Sequence, residues 1–186
     1  MEIHELNQHN WGVCGFAAAL QAAAANSRIA LGNTDYHTLF PVIKQFCDEN
    51  RDLEPELLTF SEVFGVNYRY EKLEDVLEKM EADPEMTRTD MGIAMTGKAM
   101  SRLCKSLGLT ASEFHGTTDT TNAPKFSYSN TIYGLGRSGS STGSFRYGLL
   151  HWVYCDRDKQ PMTWGREYTE AELFSYFDKV THYLPL

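Results

Sequence analysis

With 186 residues the chain is about the size of one domain, and a hydrophobic content of 42% is enough to bury a core, which excludes an intrinsically disordered chain. Its 17 Lys and Arg against 25 Asp and Glu leave a formal charge of −8, so no general basic field exists to collect nucleic-acid phosphates, and no nucleic-acid partner is expected. No window approaches the ~18 uninterrupted apolar residues of a membrane-spanning helix, and residues 1–10 are polar, so neither a membrane span nor a Sec-type signal is expected.

In chain order, residues 14–25 are strongly helix-forming with Gln21 as the single polar side chain, which predicts a helix buried on most sides and ended by Asn26 and Ser27. Leu39, Val42, Ile43, Phe46 and Cys47 follow amphipathic helical spacing, with Pro41 tolerable only in the first turn. Leu73, Val76, Leu77 and Met80 repeat that spacing, as do Met100, Leu103, Cys104 and Leu107 before Gly108, so the first ~110 residues read as mainly helical. Beyond Gly108, Thr, Ser, Gly and aromatic residues replace the helical spacing. Strands are expected near residues 126–135, 147–155, 161–168 and 181–184, with residues 156–160 as a hairpin connection. Thr169-x-x-Glu172 has the form of a capping box and opens a short helix through Phe174 and Phe177. The sum is a single α+β domain over residues 1–186, helices first and an antiparallel sheet second.

The run Gly134-Leu135-Gly136-Arg137-Ser138-Gly139 matches the dinucleotide pattern G-x-G-x-x-G in letters only. That fingerprint needs a following helix, and here Ser and Gly precede a strand, so the run is expected to be a loop. Cys14, Cys47, Cys104 and Cys155 lack the short spacings of a zinc site, so free thiols are expected, and neither a metal nor a flavin or nicotinamide cofactor.

Cys14 stands where a polar, Gly-containing stretch gives way to the Ala-rich helix, which places its thiol in the first turn. There the macrodipole and the unpaired N–H groups favour the thiolate. Gly12 permits a tight turn, and Gln8 offers an amide donor for an oxyanion, together with the Cys14 N–H. The base expected for this thiol is His151, which interrupts the otherwise apolar run from Tyr147 to Cys155. His4, His9, His37, His115 and His182 have surface contexts. Tyr128, Tyr133, Tyr147, Trp152, Tyr154 and Trp164 are expected mainly in sheet packing, a few lining a cleft.

Gln8-x-x-x-Gly12-x-Cys14 at the start of a buried helix, with a late His151 on a strand, resembles the papain-like cysteine peptidase superfamily. The resemblance implies an oxyanion hole from Gln8 and the Cys14 backbone, acyl transfer by Cys14 and His151, and a third side chain that orients the imidazole. That third residue commonly precedes a Trp-Gly pair, here Trp164-Gly165. The orienting position then falls on Met162, which cannot accept an imidazole N–H, or on Thr163 if the register slips by one; Asp156, Asp158 or a bare dyad are the alternatives. In size and style the chain is similar to the compact papain-fold hydrolases that bacteria use as injected effectors or toxins. That similarity implies a protease first, with a glutamine deamidase, a peptidoglycan amidase or a catalytically weak binding module as alternatives. The implied partner is a protein or peptide substrate; acidic segments such as residues 71–81 read as a solvated face or, alternatively, as a dock for an immunity protein or chaperone. The implied location is the producing cell's cytoplasm, with delivery to a target cell independent of a signal peptide.

Overall fold

Helix α1 (Cys14–Ala25) is the axis of the molecule, and residues 15–23 are all buried. Its alanines carry no side-chain entropy to lose and let neighbouring elements approach closely. Gln21, its one polar side chain, is satisfied by the Ile3 carbonyl at 3.3 Å, which belongs to a 3₁₀ turn, Ile3–Glu5, laid against the helix. The computed structural model describes residues 1–59, 71–110, 115–116 (backbone), 126–138 and 148–186.

Helix α2 (Asp35–Glu49) is capped by the Thr34 side chain, which accepts the His37 N–H. This cap starts the helix one turn earlier than the apolar spacing indicates. Pro41 therefore lies in the second turn rather than the first, on the exposed face. Helices α3 (Leu73–Glu81) and α4 (Gly97–Ser106) follow the expected spacing, and Gly108 takes the left-handed conformation after α4, at φ 75°. The amino-terminal part is not purely helical. Strands β1 (Leu57–Thr59) and β2 (Ile93–Met95) pair antiparallel, each too short to display a period in the sequence.

The main sheet runs in the order β3-β8-β4-β5-β6-β7, every neighbouring pair antiparallel. Its strands are β3 (His115–Gly116), β4 (Thr131–Gly136), β5 (Leu149–Cys155), β6 (Pro161–Thr163), β7 (Arg166–Glu167) and β8 (Lys179–Pro185), with helix α5 (Glu170–Tyr176) between the last two. The α+β class and the order of its parts agree with the sequence; three details differ. The run 161–168, expected as one strand, is a hairpin broken at Trp164 and Gly165, whose φ angles of 48° and 78° match a two-residue type I′ loop. Gly134 and Gly136 lie in β4 rather than in a loop, and a Cβ at Gly134 would sit 2.7 Å from Leu149 Cδ1. Residues 139–143 of that run, and Tyr147, fall outside the described residues. His182 is not at the surface: β8 lies beside β4 inside the sheet, so His182 is buried opposite Gly134 and against Trp152.

Alternation along the strands produces two cores. Ile132, Trp152, Tyr154, Met162 and Leu184 face α1, while Tyr133, Leu135, Val153 and Cys155 are covered by Leu173 and Phe177 at α5. Among the described residues no helix is long and apolar enough to cross a membrane.

Candidate functional site

The loop entering α1 is anchored on three sides. The buried Trp11 indole donates to Asp83 Oδ2 at 2.9 Å, the Asn10 amide donates to the Thr87 carbonyl at 2.8 Å, and Gly12 bridges to Gly92 beside β2. Burial opposes the Asp83 charge, but hydrogen bonds from Trp11, Arg88 N–H and Thr87 hold its carboxyl below the ordinary range. Gly15 permits the close approach of α1 to β2, since a Cβ there would meet Met95 Cγ at 2.6 Å.

Cys14 is half-buried, and all four cysteines are free thiols. Burial pushes the Cys14 thiol up to about 11, against the N–H groups of Trp152, Gly15 and Cys14 itself, which pull it down. The N–H groups at the helix start favour the thiolate, but loss of water outweighs them and the thiol rests protonated. The Trp152 N–H also locates the sulfur against β5, one residue from His151.

His151 is 5% exposed, with Nε2 2.8 Å from Thr163 Oγ1. Its ring stacks on Trp164, centroids 4.4 Å apart, and lies parallel to Phe177 at 5.5 Å. Burial pushes the imidazole down to about 3, so it rests neutral. Strand register sets Met162 and Thr163 on opposite faces of β6. Tyr154 pairs with Met162, which puts Met162 on the α1 face in the core, whereas Thr163 shares the face of Val153 and His151 and reaches the ring diagonally. Asp156 instead holds the hairpin, its Oδ1 accepting the N–H groups of Asp158 and Gln160 at 2.8 Å.

Among the described residues, Nδ1 of His151 has no hydrogen-bond partner. Gln8 Oε1 is the one buried side-chain polar atom among them left unpaired. The Gln8 amide nitrogen likewise has no acceptor among the described residues, which leaves its two N–H donors available. Of the expected site residues, the structure thus joins His151 to Thr163 and brings Cys14 to the same strand, with Gln8 on the loop that leads into α1. No hydrogen bond links Cys14 to His151 or to Gln8 among the described residues.

Phe177, Asn7, His9 and Asp35 also shape this region, and the sequence did not single them out for it. The capping box signalled α5 but not that the residue following it would cover a histidine. His9 and His37 are exposed as expected, and His4 is half-buried. Among the described residues no three His, Cys, Asp or Glu side chains lie close enough to hold a metal ion. No family model, curated protein or solved structure matches the chain. The fold is α+β; its candidate site holds a half-buried thiol that meets the Trp152 N–H of β5 and, at the preceding residue of that strand, a neutral imidazole bonded to Thr163.

Proposed function

We propose that the chain is a papain-like cysteine hydrolase that cleaves an amide bond through a Cys14 thioester. Support comes chiefly from the His151–Thr163 hydrogen bond of 2.8 Å at Nε2; with Thr163 Oγ1 as its acceptor, Nδ1 is the ring nitrogen free to take a proton. With Nε2 carrying the ring proton, Nδ1 takes the thiol proton as Cys14 Sγ attacks the carbonyl carbon. The oxyanion receives hydrogen bonds from the Cys14 N–H and the Gln8 amide. His151 then protonates the leaving amine, and water, deprotonated by the same nitrogen, hydrolyses the thioester. Because both partners rest neutral, proton transfer accompanies attack instead of preceding it as a standing ion pair.

A protease delivered as an effector or toxin is the preferred form. Glutamine deamidation and peptidoglycan amide hydrolysis pass through the same acyl-enzyme and differ in which substrate reaches Cys14. The neutral thiol, unbonded to His151, favours one further reading, a papain-fold binding module with weak catalysis. Iodoacetamide alkylation of Cys14 followed across pH by mass spectrometry separates the two. A rate component below pH ~9 that disappears in His151→Ala supports the hydrolase; a thiol profile indifferent to His151 supports the binding module. For the hydrolase, Cys14→Ala abolishes cleavage of peptide and glutamine substrates.

A further inference from the structure

We infer that Asp35 and His9 are positioning residues that clamp Gln8 from both sides and hold its amide at the oxyanion position; the inference rests on the hydrolase reading. Gln8 makes no side-chain hydrogen bond of its own among the described residues, so its placement comes from the backbone on either side. One carboxylate grips both neighbours: Asp35 Oδ1 accepts the Asn7 N–H at 2.9 Å, and Asp35 Oδ2 meets His9 Nε2 at 2.8 Å. Two further bonds close the loop, from His9 N–H to Asn7 Oδ1 at 2.8 Å and from Trp11 N–H to the Gln8 carbonyl at 3.0 Å.

His9 sits at φ 47°, the left-handed region that non-glycine residues enter only when their surroundings impose it. The Asp35 contact supplies that constraint, and as the first residue of α2 Asp35 is itself favoured by the helix dipole. Asn7 links the clamp to the turn between β6 and β7. It packs against Gly165, where a Cβ would lie 2.9 Å from Asn7 Nδ2, and Gly165 follows the Trp164 that stacks on His151. Asp35 and His9 touch none of the proposed reacting groups; they act through Gln8.

Two reagents separate this role from general damage. Acylation by p-nitrophenyl acetate forms the Cys14 thioester and expels p-nitrophenolate through a tetrahedral oxyanion, with the thiol proton passing to His151. Iodoacetamide forms a C–S bond and expels iodide with no oxyanion. Gln8→Ala should slow acylation on the order of 10²-fold. Asp35→Asn and the exposed-site variant His9→Ala should each slow it about 10-fold, and Gln8→Ala/Asp35→Asn should be no slower than Gln8→Ala alone, as for residues acting as one unit. Alkylation should stay within about 2-fold of wild type in all of them. Wild-type acylation rates in Asp35→Asn and His9→Ala, multiplying losses in the double variant, or a parallel fall in alkylation overturns the clamp. A wild-type Cys14 that is not acylated, and is alkylated independently of His151, overturns the hydrolase reading and the clamp with it.

Discussion

Thr163 presents a hydroxyl to His151, and a hydroxyl can fix a ring's orientation but carries no charge to stabilise an imidazolium. The ring consequently rests neutral in its apolar surroundings. Thr163→Val keeps the shape and removes the bond, leaving Nε2 buried and unpaired. The expected cost is about 1–3 kcal/mol in denaturant-measured stability, with a loss of about 10-fold or more in the His151-dependent alkylation rate. Trp164 is the other unusual residue, a bulky side chain at φ 48° in a turn position that Asn or Gly occupies at lower cost. Its ring stacks on His151. Trp164→Asn should therefore be more stable than Trp164→Val by about 1–2 kcal/mol, since a β-branched residue is worst at positive φ. Both variants should lose the shield over the imidazole, and chemical unfolding of the pair alongside alkylation rates checks both statements.

Helix α5 illustrates how an element acts on the site without contributing a reacting group. It is started by a reciprocal cap, with Thr169 Oγ1 accepting the Glu172 N–H and a Glu172 carboxylate oxygen accepting the Thr169 N–H. The residue just beyond it, Phe177, lies parallel to the His151 ring. Thr169→Ala should destabilise the protein by about 1 kcal/mol in chemical unfolding. It should also speed amide exchange in α5 more than in α1, because α1 draws its stability from burial on most sides rather than from a cap.

For the molecule as a whole, buried ionisable groups set a window of stability. His151 and His182 are pushed by burial to about 3 and about 4 from their ordinary 6.5. As pH falls below 6.5 the unfolded chain binds protons that these histidines refuse in the fold, so stability declines with acidification by up to ~1.4 kcal/mol per pH unit for each. On the alkaline side, burial raises Cys14 to about 11 and Cys47 and Cys104 to about 12 from 9.0. Above pH 9 the unfolded thiols release protons that the folded ones keep, so stability declines again. Thermal midpoints should therefore plateau between pH 6.5 and 9 and fall on both sides. His182→Asn should flatten the acid limb.

The sequence by itself determined the helices whose apolar residues recur every three to four positions, the Thr169–Glu172 cap, the 156–160 turn and the placing of Cys14 at a helix start. Each depends on residues within a turn or two of one another, and that is the range over which periodicity, capping and turn chemistry act. Tertiary structure decided the rest. Thr163 rather than Met162 faces His151 because pairing with β5 sets which side of β6 each residue takes. His182 is buried because the last strand lies beside β4 within the sheet, and β1 and β2 exist because segments 36 positions apart pair. The thiol rests protonated because packing against β5 removes water, and that loss outweighs the N–H groups at the helix start. Desolvation, strand register and a carboxylate reaching across from α2 to the Gln8 loop all depend on residues far apart in the chain, and those distances are set only when the chain folds.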